Sequence, residues 1–201
     1  MAHLPSTILA RQAFIQDELK ASAETKTRIF EQCTDRILRA TDVLIAALNG
    51  KKKILLCGNG GSAADAQHLA AEFLIRLNPG IDRPGIPAIA LTTDSSALTA
   101  AATDLGYDRV FSRAVEALGA PGDVLIAFST SGKSESVNNA LRAAQAKGMA
   151  TIALLGKDGG SAKDLADVTI LVPSADTQRI QEGHITIAHI LCALVEREMY
   201  G

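Results

Sequence analysis

Along the first fifty residues, apolar side chains recur at helical spacing. Ile8, Phe14, Ile15 and Leu19 form one stripe, and Ile29, Ile37, Leu38, Val43, Leu44 and Leu48 a second. The pattern predicts two amphipathic N-terminal helices within residues 6–49, the second closed by Gly50. They cover either a neighbouring subunit or their own domain. From Lys53 the rhythm changes to short, continuous apolar runs at 54–57, 88–92, 124–128, 151–155 and 168–172, most of them followed by a helical pattern. Continuous runs suit strands buried on both faces, and strands alternating with helices suit a parallel sheet. The expected fold class is therefore α/β, a three-layer αβα sandwich with a five-stranded parallel sheet, preceded by two N-terminal helices. The Pro/Gly-rich stretch Asn78-Pro-Gly-Ile-Asp-Arg-Pro-Gly, after a helix expected to end near Leu77, reads as a loop inside one domain covering residues 1–201.

Composition narrows the partners. A net charge of −2 without a basic run, and 3% aromatic residues without Trp, argue against nucleic acid. Cys33, Cys57 and Cys192 are widely spaced, which suits neither a disulfide framework nor a cysteine zinc site and fits a reducing cytosol. The N-terminus lacks the basic flank and apolar core of a signal peptide, and no apolar run approaches the roughly 20 residues that span a bilayer. A cytoplasmic protein without a membrane partner is expected.

In an open parallel sheet, ligands gather at the carboxyl ends of the strands. Two such ends carry anion-site features. Cys57-Gly-Asn-Gly-Gly-Ser62 is a glycine-rich strand–helix turn in which Ser62 can cap the helix, and it reads either as a tight turn or as a ligand cradle. Gly58, Gly60 and Ala63 fit only the loose form of a dinucleotide fingerprint, Asp82 is poorly placed to bind a ribose, and a P-loop Lys is missing. No nucleotide cofactor is expected. Ser129-Thr-Ser-Gly-Lys-Ser134 follows the third apolar run and opens a helix, so four hydroxyls and the helix dipole face one point. That arrangement reads either as a hydroxyl-rich helix cap or as a cradle that suits the terminal phosphate of a sugar, with Lys133 either adding charge or pointing into solvent.

Of four histidines, His3 lies in the N-terminal tail. His68 and Glu72 are four apart on the helix after the glycine turn, the spacing of a metal pair, an acid/base pair or a plain surface pair. The last helix, over residues 178–199, carries Gln181, His184 and His189, the last in an apolar stretch that predicts burial. Gln181 and His189 stand about 12 Å apart in helix rise, so spacing leaves open whether they share an ion.

Together these motifs resemble the sugar isomerase (SIS) domain family, and within it the phosphoheptose isomerases. The likeness runs over residues 50–199 through Cys57-Gly-Asn-Gly-Gly-Ser62, His68 and Glu72, Arg83-Pro-Gly-Ile-Pro, the 129–134 hydroxyls, and Arg179-Ile-Gln-Glu-Gly-His184 with His189 after it. The resemblance implies that Ser129, Thr130, Ser131 and Ser134 hold a phosphate. It implies that Asn59, Gly60 and Gly61 line the sugar pocket, joined by Thr103, Asp104, Glu72 and Gln181. It gives His68, Glu72, Gln181 and His189 as zinc ligands, and Glu72 with His189 as the catalytic acid/base pair. Where the family commonly has Asn-Asp, this chain reads Thr103-Asp104. The implied activity is aldose–ketose isomerisation of sedoheptulose 7-phosphate for heptose biosynthesis, in a homotetramer with active sites between subunits. Two rivals share the cradle: a non-catalytic SIS protein that binds the replication initiator, and an isomerase for another sugar phosphate.

Overall fold

All five apolar runs become strands of one sheet in the computed structural model, which describes residues 7–201. His3 and Ser6 lie outside the described residues. The strands are β1 (Ile54–Cys57), β2 (Ala88–Ala90), β3 (Val124–Ser129), β4 (Ala150–Leu155) and β5 (Val168–Leu171). Every pairing is parallel and the order is β2-β1-β3-β4-β5. Among the described residues, six α-helices accompany them: α1 (Ile8–Asn49), α2 (Gly61–Leu74), α3 (Ser95–Leu105), α4 (Val110–Leu118), α5 (Glu135–Ala146) and α6 (Thr177–Tyr200).

Two cores explain why the strands read as unbroken apolar runs. Ile54, Leu56, Ile126, Phe128, Ile152 and Leu154 point to one face, where α1, α2 and α6 cover them. Leu55, Cys57, Leu125, Ala127, Ala153 and Leu155 point to the other, against α4 and α5. Alternate side chains leave a strand on opposite faces, so a sheet covered twice needs apolar residues at every position. The sandwich is as expected.

The N-terminal helices are corrected to one. Residues 8–49 form a single helix of 42 residues, about 63 Å long. The polar stretch between Leu19 and Ile29 contains neither Gly nor Pro, so it changes which face is wet without breaking the backbone ladder. Thr7 caps its start, accepting from the Ala10 N–H. Its second half packs on the sheet through Ile29, Cys33, Ile37, Ala40 and Leu44, while Ile8, Leu9, Phe14, Ile15 and Leu19 stay exposed. Helix α2 stops at Leu74 rather than near Leu77, because Arg83 and the Ile86 N–H take its last carbonyl groups. Among the described residues, no helix is long and apolar enough to cross a membrane.

The strand order fixes where a ligand fits. The chain leaves β1 outward to β2 and returns to β3, so the crevice lies between the carboxyl ends of β1 and β3. The glycine turn follows β1 and the hydroxyl loop follows β3.

Candidate active site

The hydroxyl loop encloses a cavity of about 210 Å³, lined by Ser129, Thr130, Ser131 and Ser134 together with Asn59, Ser62 and Phe128. Ser129 Oγ accepts from the Gly132 N–H at 3.1 Å, and Ser131 Oγ from the Lys133 N–H at 3.2 Å. These bonds use lone pairs and leave the hydroxyl protons for a ligand. Gly132 has φ +63°, and a Cβ there would lie 1.8 Å from the Gly159 carbonyl oxygen, so only glycine lets the two loops close. Ser134 is the N-cap of α5 yet makes no capping bond; its Oγ accepts from Asn59 Nδ2 at 2.8 Å. Lys133 turns outward, 68% exposed and 3.8 Å from Asp158.

The glycine turn meets this loop through Asn59, which also donates to Ser136 Oγ at 3.0 Å. Helix α2 begins at Gly61 after Gly60 (φ +57°). Ser62 is therefore buried inside the first turn and does not cap it. A side chain at Gly61 would come within 2.2 Å of Gln181 Nε2, so the Gln181 amide lies directly on this backbone.

Helices α2 and α6 run side by side in the same direction, Gly61 meeting Gln181 and His68 meeting His189. The two histidine Nε2 atoms are 2.8 Å apart, and His68 Nε2 stands 3.4 Å from Glu72 Oε1. One ligand atom from each of the three residues lies within 4.8 Å of the others. Glu72 and His189 thus occupy one site. His189 is half-buried rather than buried, because Ile180, His184, Ile187, Ala188 and Leu191 form the core face of α6 and His189 faces α2.

Two nitrogens and a carboxylate oxygen at these separations fit one small divalent cation. Ligand atoms about 2.0–2.1 Å from a tetrahedral zinc lie about 3.3 Å from one another. Gln181 sits at the other end of the groove, seven residues along α2 from His68, about 10 Å of helix rise. Thr103 and Asp104 lie on the exposed last turn of α3, where the Thr103 hydroxyl donates to the Thr99 carbonyl at 2.8 Å.

Several contributors were missed in the sequence. Glu196 and Arg83 form a fully buried ion pair at 2.9 Å. Glu196 also accepts from the N–H groups of Leu77 and Asn78, and Arg83 donates to the carbonyls of Glu72 and Phe73, each at 2.8 Å. The clamp ties the end of α2, with Glu72 on it, to α6. An acid beside Val195 on an apolar helix was the available signal. Tyr107, in a short turn after α3, donates to Asn59 Oδ1 at 2.6 Å, and nothing local in the sequence announces that contact. Burial pushes the Asp65 carboxyl up to about 6 against the lowering pull of His68. Burial also raises the Cys57 and Cys192 thiols to about 12, which keeps them protonated and inert.

Comparison with known proteins agrees with this geometry. Residues 19–156 match the family model described as SIS domain. The phosphoheptose isomerase of Geobacter metallireducens is 51% identical over 186 residues, covering 92% of this chain and 97% of that protein. That of Sulfurimonas denitrificans is 49% identical over 190 residues, 94% of this chain and 96% of its own. The solved phosphoheptose isomerase of Neisseria gonorrhoeae superposes with a TM-score of 0.86 at 41% identity, covering 92% of this chain and 98% of that one. This chain belongs to the SIS domain family and, within it, to the phosphoheptose isomerases.

Proposed function

We propose that the protein interconverts sedoheptulose 7-phosphate and D-glycero-D-manno-heptose 7-phosphate, an aldose–ketose isomerisation that feeds heptose biosynthesis. The observation that carries this reading is the meeting of Glu72 and His189 between α2 and α6, while the turn that opens α2 joins the hydroxyl cradle through Asn59 and Ser134. Ser129, Thr130, Ser131 and Ser134 bind the phosphate with the N-terminus of α5 behind them. Asn59, Gly60, Gly61 and Gln181 line the sugar, and Thr103 and Asp104 serve its hydroxyls.

Glu72 removes the proton from the carbon beside the carbonyl, and His189 gives a proton to the carbonyl oxygen as the C1–C2 double bond of the enediol forms. Returning a proton to the neighbouring carbon, while His189 takes one from the other oxygen, completes the shift. Hydrogen moves within the substrate and the net redox change is zero, so no nucleotide cofactor enters. His68, Glu72 and His189 are the residues that would hold a zinc ion, and Gln181, which lies on Gly61, would be a further donor by likeness to the family. Bound there, the ion supplies Lewis-acid charge for the sugar oxygens.

The active assembly is a homotetramer with sites between subunits. The exposed apolar start of α1 supports it, as does a groove of about 260 Å³ lined by Ile29, Phe30, Ile37, Leu38, Ile190 and Leu194. Residues 1–201 act as one domain, its helical segment packing on its own sheet and on a neighbouring subunit. The compartment is the cytoplasm, where Cys33, Cys57 and Cys192 stay unpaired.

Replacing Glu72 with Gln tests the reading. Turnover of sedoheptulose 7-phosphate falls about 100-fold or more while fold and sugar-phosphate binding persist. Near-normal turnover overturns the base assignment.

A further inference from the structure

The Asn59 amide is the hub of a hydrogen-bond network whose polarity can be worked out atom by atom. Its Nδ2 gives both protons away, to Ser134 Oγ at 2.8 Å and Ser136 Oγ at 3.0 Å. The two serine oxygens are 3.1 Å apart, so one hydroxyl donates to the other. Because Asn59 spends its own protons on both oxygens, at least one serine proton remains for an acceptor outside the network. Ser134 lines the phosphate cavity and is excused from capping α5, so when Ser136 donates to Ser134 the free proton is Ser134's and faces the ligand. Turned over, the amide would present Oδ1 to the serines, consume their protons, and leave lone pairs facing an anion.

Tyr107 faces the other side of this amide. Its hydroxyl donates to Asn59 Oδ1 at 2.6 Å, a separation that suits O–H···O and is short for N–H···O, so the amide oxygen lies on that side. The ring is 56% exposed, so Tyr107 is a clasp laid on from outside and not a core residue. Its backbone is held to match. Gly106 (φ +89°) turns the chain out of α3, and Asn139 on α5 donates to the Asp108 carbonyl at 3.1 Å. The clasp is thereby anchored to the helix whose N-terminus receives the phosphate.

We propose that Tyr107 is a positioning residue for phosphate recognition: by donating to Asn59 it orients the amide so that Ser136 can donate to Ser134 and Ser134 offers its proton, not a lone pair, to the sugar's terminal phosphate. This rests on the reading of the 129–134 loop as the phosphate cradle. The test uses the full chain, sedoheptulose 7-phosphate as substrate and inorganic phosphate as a competing probe. In Tyr107→Phe, KM and the phosphate inhibition constant both rise roughly twofold to tenfold, the range of one hydrogen bond. In the same variant kcat stays within about twofold and the melting temperature is unchanged. In an Asn59→Ala background, adding Tyr107→Phe changes neither constant further, which a general packing role would not produce. Ser131→Ala and Ser134→Ala separate the two readings. If they raise the phosphate constant and Tyr107→Phe leaves KM and that constant unmoved, the Tyr107 role is overturned and the cradle stands. If none of the three moves it, cradle and proposal fall together.

Discussion

His184 makes folding stability depend on acid in a way that can be calculated. Its side chain is wholly buried, with Nε2 3.1 Å from the Leu155 carbonyl and the ring edge-on to Phe128. A carbonyl only accepts, so Nε2 carries the proton and Nδ1 keeps a lone pair with no partner in the core. Protonation would bury a charge and an unpaired donor together. Burial accordingly lowers its pKa from 6.5 to about 4, partly opposed by the Leu155 bond. The unfolded chain takes up the proton first, so this stability is complete above pH 6.5 and is lost as pH falls toward 4. The full loss is about 3 kcal/mol, of which about 2.5 is gone by pH 4.5. Asp65, raised to about 6, has the opposite slope, its contribution being present at low pH and lost as pH rises through 6. A single pH profile therefore partly hides both groups, and the useful quantity is the difference between wild type and His184→Leu. At pH 7 the variant is less stable by about 1–2 kcal/mol, because the Leu155 carbonyl loses its donor. Near pH 5 the order reverses, and at pH 4.5 the variant is the more stable. Urea unfolding at fixed protein concentration, repeated from pH 7.5 to 4.5, measures the crossing. A wild-type-minus-variant difference that stays flat with pH refutes the assignment.

Three further outcomes are expected. Gly132→Ala forces a left-handed alanine against Gly159, costing at least about 2 kcal/mol and lowering the melting temperature by about 4–8 °C, with loss of inhibition by inorganic phosphate. Glu196→Gln strands the buried Arg83 charge and destabilises by about 3–5 kcal/mol in denaturant titration. Dialysis against a chelator lowers turnover and added Zn²⁺ restores it, while His68→Ala reduces the zinc retained after gel filtration.

What the sequence made legible follows from range. The strands were visible because burial on both faces writes itself into consecutive residues, as in the wholly buried run from Val124 to Ser129. Helix α1 reads as two because a change of wet face looks locally like a break. Ala188 and Ile190 on either side of His189 suggest burial, although its own direction on α6 is toward α2. The Tyr107–Asn59 and Arg83–Glu196 contacts join residues 48 and 113 positions apart, and no local period encodes such pairs. The cradle hydroxyls and the His68–Glu72 spacing were legible because one turn or one helix carries each whole.

The parallel pairing of α2 with α6 has a consequence for selectivity by size. The glycine turn with Gln181 and the His68–Glu72–His189 cluster sit on the same two rods, so the distance between the sugar-lining turn and the cluster is set by helix rise. Side-chain exchanges adjust the grip at either end but leave that gauge untouched. On the proposed reading, a sugar phosphate two carbons shorter, moored at the cradle, reaches less far toward Glu72, and inserting or deleting a turn in both helices would reset the measure.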